Sequence, residues 1–290
     1  MANGELVFTL WDVRHGISIW INTPNGCNHW IDLGSTPDFS PSLYVRHHCG
    51  IEEIDFLVIS HPDRDHLEDL PQFREAFNAP KVLCRNKYLP DEDMFGQGTL
   101  EYQKIYAEMH LRFTYDIPPA ESPTNPDRNG GVQYAIHFLD HGILADSPSL
   151  LGRAPIKGND TSLVVMLLYQ GVLFVCPGDI GPPGWRELWR SGKKSFQTLI
   201  KAARIRLLVA PHHGRESGYC DDMMDAVQPD AIFISDAWGQ SPTHRAFREK
   251  PYGIRSPSGE VVRYYTTKRG GAIQAIVSSV GAVDVYQHNR

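Results

Sequence analysis

Residues 58–70 read VISHPDRDHLEDL. An apolar run, IDFLVIS (54–60), stops there, and the next six positions present His61, Asp63, Asp65 and His66. A buried strand reads as a near-continuous apolar run. One that ends directly in imidazoles and carboxylates sets those groups at one edge of its sheet. The pattern recurs twice, with Gly178-Asp179 after VLFVCP and His212-His213-Gly214 after RLLVAP. Strand ends that converge build a shared cation site, and imidazole mixed with carboxylate suits Zn²⁺, Mn²⁺ or Fe.

Outward from these clusters the chain reads as two β-rich halves. LVFTLWDV (6–13), SIWINT (18–23), NHWIDLG (28–34) and IDFLVIS are strand-like in the first half, with TPNGCN (23–28) as a turn. SPSLYVRHHCG (40–50) and LEDLPQFREAF (67–77) read as helices. In the second half VQYAIHFL, TSLVVMLLY, VLFVCPGD, IRLLVAPHHG, DAIFISDA, VVRYYTT and AIQAIVSS read as strands, and GWRELWRSG and FQTLIKAAR as helices. The expectation is an α/β fold of two sheets packed face to face and covered by helices, one domain over 1–290. Residues 85–130 read as an insertion. They hold a helical stretch and then DIPPAESPTNPDRNGG (116–131), expected to be an exposed loop, protease-sensitive over residues 117–130.

Composition narrows the classes. Of 290 residues 41% are hydrophobic, enough for a sizeable core, and the net charge of −6 gives no global basic field for nucleic acid. Five cysteines without a CxxC pair argue against a disulfide framework or a cysteine-zinc module and for a reducing, cytoplasmic setting. The start, MANGELVFTLWDV, lacks the features of a signal peptide, and no apolar run approaches the roughly 20 residues that span a bilayer. No membrane association is expected, and a homodimer or a protein partner stays open.

The ordered motifs resemble the metallo-β-lactamase fold superfamily, with its αββα sandwich. The family's His-x-His-x-Asp-His signature is matched by His61-x-Asp63-x-Asp65-His66, its bridging aspartate by Asp179 in CPGDIG, its last histidine by His213 in APHHG, and its early Asp-x-Gly turn by Asp32 and Gly34 in WIDLGS. Where the family carries a Gly-His-Thr-like turn this chain has GNDTSLVVML, with Asn159 and Asp160 in place of the histidine. Together with Asp63, this resembles the bacterial ComEC (DNA-uptake) hydrolase domain and its free-standing relatives. The segments DVRHGISIWI, NDTSLVV and HHGRES are similar to that branch's motifs as well.

The resemblance implies a hydrolase with two divalent ions. His61 and Asp63 would hold one, with Asn159 or Asp160; Asp65, His66 and His213 would hold the other; Asp179 would bridge. Mn²⁺ or Zn²⁺ is expected, Mn²⁺ the more so with carboxylates replacing two imidazoles. The apo site should then be strained by like-charge repulsion. Asp65 would orient the bridging hydroxide, His212 or His244 would protonate the leaving group, and Lys157, Asn159, Arg215 and Arg245 would bind substrate. The implied activity is a phosphodiesterase or nuclease acting on DNA. The alternatives are hydrolysis of a small ester, lactone or cyclic nucleotide, or a non-catalytic partner subunit stabilised by metal. His15, His47, His48, His137 and His141 read as structural or exposed, and the charges of TTKRGG and RSGKK as solvated unless they flank the cleft.

Overall fold

The computed structural model describes residues 4–88, 100–139, 158–191, 194–237, 239, 242–256 and 258–288. In chain order the strands are β1 (Leu6–Leu10), β2 (Ser18–Asn22), β3 (Asn28–Leu33), β4 (Phe56–Val58) and β5 (Val82–Cys84). They continue as β6 (Gln133–His137), β7 (Val164–Tyr169), β8 (Val172–Cys176), β9 (Ile205–Val209) and β10 (Ala231–Ile234). The last are β11 (Ile254–Arg255), β12 (Val261–Val262), β13 (Tyr264–Thr266), β14 (Ala272–Val277) and β15 (Val283–His288). One sheet runs β15-β14-β1-β2-β3-β4-β5, the other β13-β10-β9-β8-β7-β6, and β11 pairs with β12.

Alternation along the strands decides the layering. Leu6, Phe8 and Leu10 of β1 and Ile31 of β3 point inward, where they meet Val165, Leu167, Phe174 and Phe233 of the second sheet. Phe8 stacks on Phe174 at 4.4 Å, which fixes the sheet separation at the centre. The odd-out face of the first sheet, led by Trp30, is covered by helices α1 (Pro41–His48), α3 (Leu70–Phe77) and α4 (Glu101–Arg112), α2 (Arg64–Leu67) being the short turn before them. The outer face of the second sheet, with Val164, Met166 and Leu168, is covered by α5 (Pro182–Arg190), α6 (Lys194–Ala202) and α7 (Asp221–Val227). Strands buried on both faces need no polar side, which is why β7 and β8 are apolar throughout. The result is the expected αββα sandwich.

Some boundaries differ from expectation. LVFTLWDV leaves the sheet at Leu10, and residues 11–17 form a loop that returns when Trp11 N donates to Ser18 O at 2.9 Å. VVRYYTT is split between β12 and β13. The Pro/Asn/Gly-rich stretch is only half open. Residues 115–121 are exposed, but Asn129 is fully buried: its Nδ2 donates to the carbonyls of Pro123 (2.9 Å) and Val132 (3.0 Å), and its Oδ1 accepts from Val132 N. Arg128 O in turn accepts from Asn25 Nδ2 at 2.8 Å, seating the loop on the β2–β3 turn. Asparagine side chains replace the ladder partners that such a segment lacks.

Parallel pairing places the site. β3 and β4 run parallel, as do β8, β9, β10 and β13, so their carboxyl ends meet at one edge of the sandwich. Leu163 N donates to Ser60 O at 2.9 Å, joining the end of β4 to the start of β7 across the two sheets.

Candidate metal centre

The short α2 begins just past the end of β4 and leaves Asp65 half-buried while burying His66. Its position depends on two glycines. The Asp65 carbonyl accepts from Ile17 N at 3.3 Å, and a Cβ on Gly16 or Gly34 would stand 2.5 or 2.7 Å from that oxygen. Side chains there would push the carbonyl away and the Asp65 carboxylate with it. On the second sheet, β8 delivers Asp179 through Gly178, and β9 delivers His212 and His213, both at positive φ (48° and 56°). Two consecutive non-glycine residues in the left-handed region are costly, of order 1–3 kcal/mol each. They are held because His212 N donates to Gly178 O and His244 N to Gly214 O.

Ligand-type atoms of Asp65, His66, Asp179 and His213 lie within 4.8 Å of one another. Asp179 is the centre of a wider set. Its Oδ1 is 3.4 Å from His66 Nε2, and its Oδ2 is 3.6 Å from His213 Nε2, 3.8 Å from His212 Nε2 and 4.0 Å from His61 Nε2. Asp65 Oδ2 adds 3.1 Å to His213 Nε2, and Asp63 Oδ2 lies 3.6 Å from His61 Nε2. Two groups therefore share Asp179: Asp65, His66 and His213 on one side, His61, Asp63 and His212 on the other.

Buried partners aim the imidazoles. Asp32 is fully buried at the end of β3, accepting from Ser60 N (2.6 Å) and Ser60 Oγ (2.6 Å) and pairing with His66 Nδ1 (2.7 Å). A carboxylate only accepts, so His66 carries a proton on Nδ1 and aims Nε2 at Asp179. The Ser60 hydroxyl gives its hydrogen to Asp32 and so accepts from His61 Nδ1 at 3.1 Å, which frees His61 Nε2 in the same way. His61 Nε2, His66 Nε2 and Asp179 Oδ1 are buried with no hydrogen-bond partner among the described residues. Polar atoms orphaned in a buried cluster of acceptors are what a cation site requires, and the residues present fit one.

The charges are compensated rather than opposed, contrary to the like-charge strain expected from sequence. Burial works against ionisation of Asp179 and Asp65, yet His213 and His66 outweigh it and hold both carboxyls below their ordinary range. The His61 ring, 3.6 Å away, holds the Asp63 carboxyl down as well. Burial opposes a proton on His66, but Asp32 and Asp179 raise its pKa well above the usual value.

Other candidates fall elsewhere. Asp160 sits in a 3₁₀ turn (Gly158–Thr161) with Oδ1 against Gly181, and it is outside the converging group of described residues; Asn159 shares that turn. His244 stacks on Tyr219 at 3.9 Å and has Nε2 3.4 Å from Glu216, while Arg245 pairs with Glu249. Lys157 and His141 lie outside the described residues. Arg215 does reach the site, its Nη2 lying 3.2 Å from His15 Nδ1.

His15, expected to be structural or exposed, belongs to the site. Its Nε2 is 3.2 Å from Asp65 Oδ2 and its ring 4.4 Å from that of His213. Burial, with His213 nearby, lowers its pKa to about 4, so it is neutral beside Asp65. The signal was its place in the loop that leaves β1, where Gly16 O accepts from Ser235 Oγ at 2.6 Å and draws the loop over the second sheet.

No curated protein sequence matches the chain. Among solved structures it is similar to the metallo-beta-lactamase fold protein YhfI from Bacillus subtilis (12% identity, 92% of this chain and 98% of that one, TM-score 0.44). It is similar also to a diphosphatase from the PhnP family (12%, 94% and 98%, TM-score 0.45). A third likeness is to a long form RNase Z from yeast (11%, 96% and 42%, TM-score 0.44). Residues 26–146, which include the His61–His66 cluster, match the family model described as the Metallo-beta-lactamase superfamily. That match covers part of the first half of the chain, and the whole forms the metallo-β-lactamase-like αββα sandwich of two sheets between helices.

Proposed function

We propose that the chain is a metal-dependent phosphodiesterase with two divalent ions held on either side of Asp179. The observation that carries this reading is the position of that carboxylate among four imidazoles, with buried Nε2 and Oδ1 atoms left without partners. His61, Asp63 and His212 would hold one ion, and Asp65, His66 and His213 the other. Two such ions supply a water of lowered pKa and charge for the attacking and leaving oxygens. Asp32 and Ser60 orient the imidazoles, His15 holds Asp65, and Arg215 offers a guanidinium to a substrate phosphoryl oxygen beside it.

His212 changes the metal expectation. It restores an imidazole to the side where Asn159 and Asp160 stand in sequence for the family's histidine. The set becomes four imidazoles and three carboxylates, so Zn²⁺ competes on equal terms with Mn²⁺. A ligand role also fits His212 better than proton donation, since burial lowers its pKa.

DNA is the substrate that the sequence resemblance favours. The rim supports a second, smaller reading, because Arg14 pairs with Asp38, Arg64 with Glu68 and Arg245 with Glu249. A rim compensated in this way favours a short phosphodiester or cyclic nucleotide over a long duplex. The test is turnover of single-stranded DNA, duplex DNA, RNA, cyclic nucleotides and bis-p-nitrophenyl phosphate with Mn²⁺, Zn²⁺ and Mg²⁺, beside metal analysis. Wild type should carry up to two transition ions and hydrolyse at least one phosphodiester, and Asp179→Ala should lose most of both properties. Full metal occupancy in Asp179→Ala, or no phosphodiester turnover by wild type with any ion, would defeat the reading.

A further inference from the structure

TTKRGG (266–271), which reads as solvated charge in sequence, comes together with Arg248 at the same edge as the metal centre. A cavity of about 130 Å³ lies at the carboxyl ends of β10 and β13, lined among others by Arg248, Lys268, Arg269, Thr243, Thr266 and Asp236. β9 precedes β10 in the parallel order and ends in His212 and His213, so the cavity is the next crevice along the edge. The two sites share a wall. Thr243 packs on Gly214, where a Cβ would come within 2.9 Å of its Cγ2, and Gly214 follows His213 directly.

The charge balance in this cavity differs from that of the rim. Arg248 lies over the Tyr264 ring at 5.7 Å, and neither it nor Arg269 has a carboxylate partner among the described residues. The one acid in the lining, Asp236, is already engaged by Ala237 N (2.8 Å), Thr243 Oγ1 (3.2 Å) and Lys268 Nζ (3.5 Å). Three cations thus face one satisfied carboxylate. Thr266 Oγ1 is buried without a hydrogen-bond partner among the described residues, leaving a hydroxyl to donate. A small hollow with two guanidinium forks, an ammonium and hydroxyls suits a tetrahedral oxoanion, above all phosphate, which arginine binds through paired N–H donors.

We propose that this cavity is a phosphate subsite that holds a phosphoryl group flanking the scissile one. It rests on the phosphodiesterase reading for its role, though not for its binding chemistry. It makes the preferred substrate a short nucleotide chain carrying an additional phosphate, gripped at one end by Arg248, Lys268 and Arg269 and cleaved at the metal centre.

Two measurements test it on the full chain. The first is thermal melting with inorganic phosphate as the probe. Wild type should melt higher with phosphate, Asp179→Ala should keep most of that shift, and Arg248→Gln/Arg269→Gln should lose it while melting normally without phosphate. A shift that survives in the double arginine variant and vanishes in Asp179→Ala puts the phosphate at the metal centre and overturns the subsite. The second is the ratio of kcat/KM for a dinucleotide with a terminal phosphate to that for the same dinucleotide without it. Wild type should prefer the phosphorylated form by about tenfold or more, as expected for charge-assisted contacts, and the double variant should bring the ratio close to one. An unchanged ratio, with phosphate binding intact in the first assay, assigns the cavity to free phosphate and refutes its place in substrate recognition. If neither dinucleotide is cleaved, the phosphodiesterase reading fails, and the melting result alone decides whether the oxoanion site exists.

Discussion

Asp32→Asn separates a structural aspartate from one that sets the metal site. Asp32 accepts from three donors: Ser60 N and Ser60 Oγ at 2.6 Å, and His66 Nδ1 at 2.7 Å. Asparagine offers one acceptor oxygen and one donor amide. The oxygen must face Ser60 N, because a backbone N–H cannot reverse its role. The amide then faces Ser60 Oγ, which rotates to accept, and His66 Nδ1, which accepts only by giving up its proton. The imidazole proton moves to Nε2, where Asp179 Oδ1 receives it at 3.4 Å. The apo fold is thereby satisfied, but the lone pair that would bind an ion is blocked. Loss of such an orienting partner typically costs 10–100-fold in metal affinity, about 1.4–2.7 kcal/mol. The assay is competition with a chromophoric chelator for the more weakly held ion, with ¹⁵N imidazole shifts reporting the His66 tautomer and melting of the apo protein as a control. Unchanged affinity with the Nδ1–H tautomer preserved would refute the orienting role of Asp32.

Three further outcomes are expected. His29 is buried with its pKa lowered to about 4 by desolvation, so the unfolded chain binds its proton more tightly; stability is complete above about 6.5 and falls as pH drops toward 4, by on the order of 3 kcal/mol, and His29→Gln should flatten that slope in acid-unfolding titrations. Gly34→Ala places a Cβ 2.7 Å from the Asp65 carbonyl and should weaken ion binding by about tenfold or more, measured by metal titration, at a stability cost of roughly 1–3 kcal/mol. Limited proteolysis should cut within 115–121 and spare 122–131, and Asn129→Ala, which removes three buried hydrogen bonds, should extend cleavage into the latter stretch; equal resistance in the variant would show that the loop is held by other means.

The sandwich and the strand-end cluster were legible because both write themselves locally. A strand buried on two faces must be apolar, so IDFLVIS and VLFVCP stand out, and the clustered imidazoles and carboxylates follow them at once in sequence. His61, Asp65, His66, Asp179 and His213 were readable for that reason. His15 was not, because its place depends on Ser235 binding Gly16 O from more than two hundred positions away. The engagement of Asp160 beside Gly181 was equally hidden: periodicity marks a turn before β7 without saying which way its acid points. The strands β5 and β15 were missed because the short VLC and the largely exposed VDVYQH carry little apolar signal. Arg248 and Arg269 look like any surface charge until the parallel pairing of β10 and β13 sets them around one hollow.

The residues of the candidate site are divided between the two sheets, with His61, Asp63, Asp65 and His66 following a strand of the first and Asp179, His212 and His213 following strands of the second. An ion held by all of them would be a bolt through the sandwich. Neither half carries the full set, so the complete site would form only once the sheets have docked, and its ion would mark the closing of folding rather than its start. Its loss would not reverse that order: half of the Asp63 side chain is open to solvent at the edge, so a chelator would strip the ion without parting the layers.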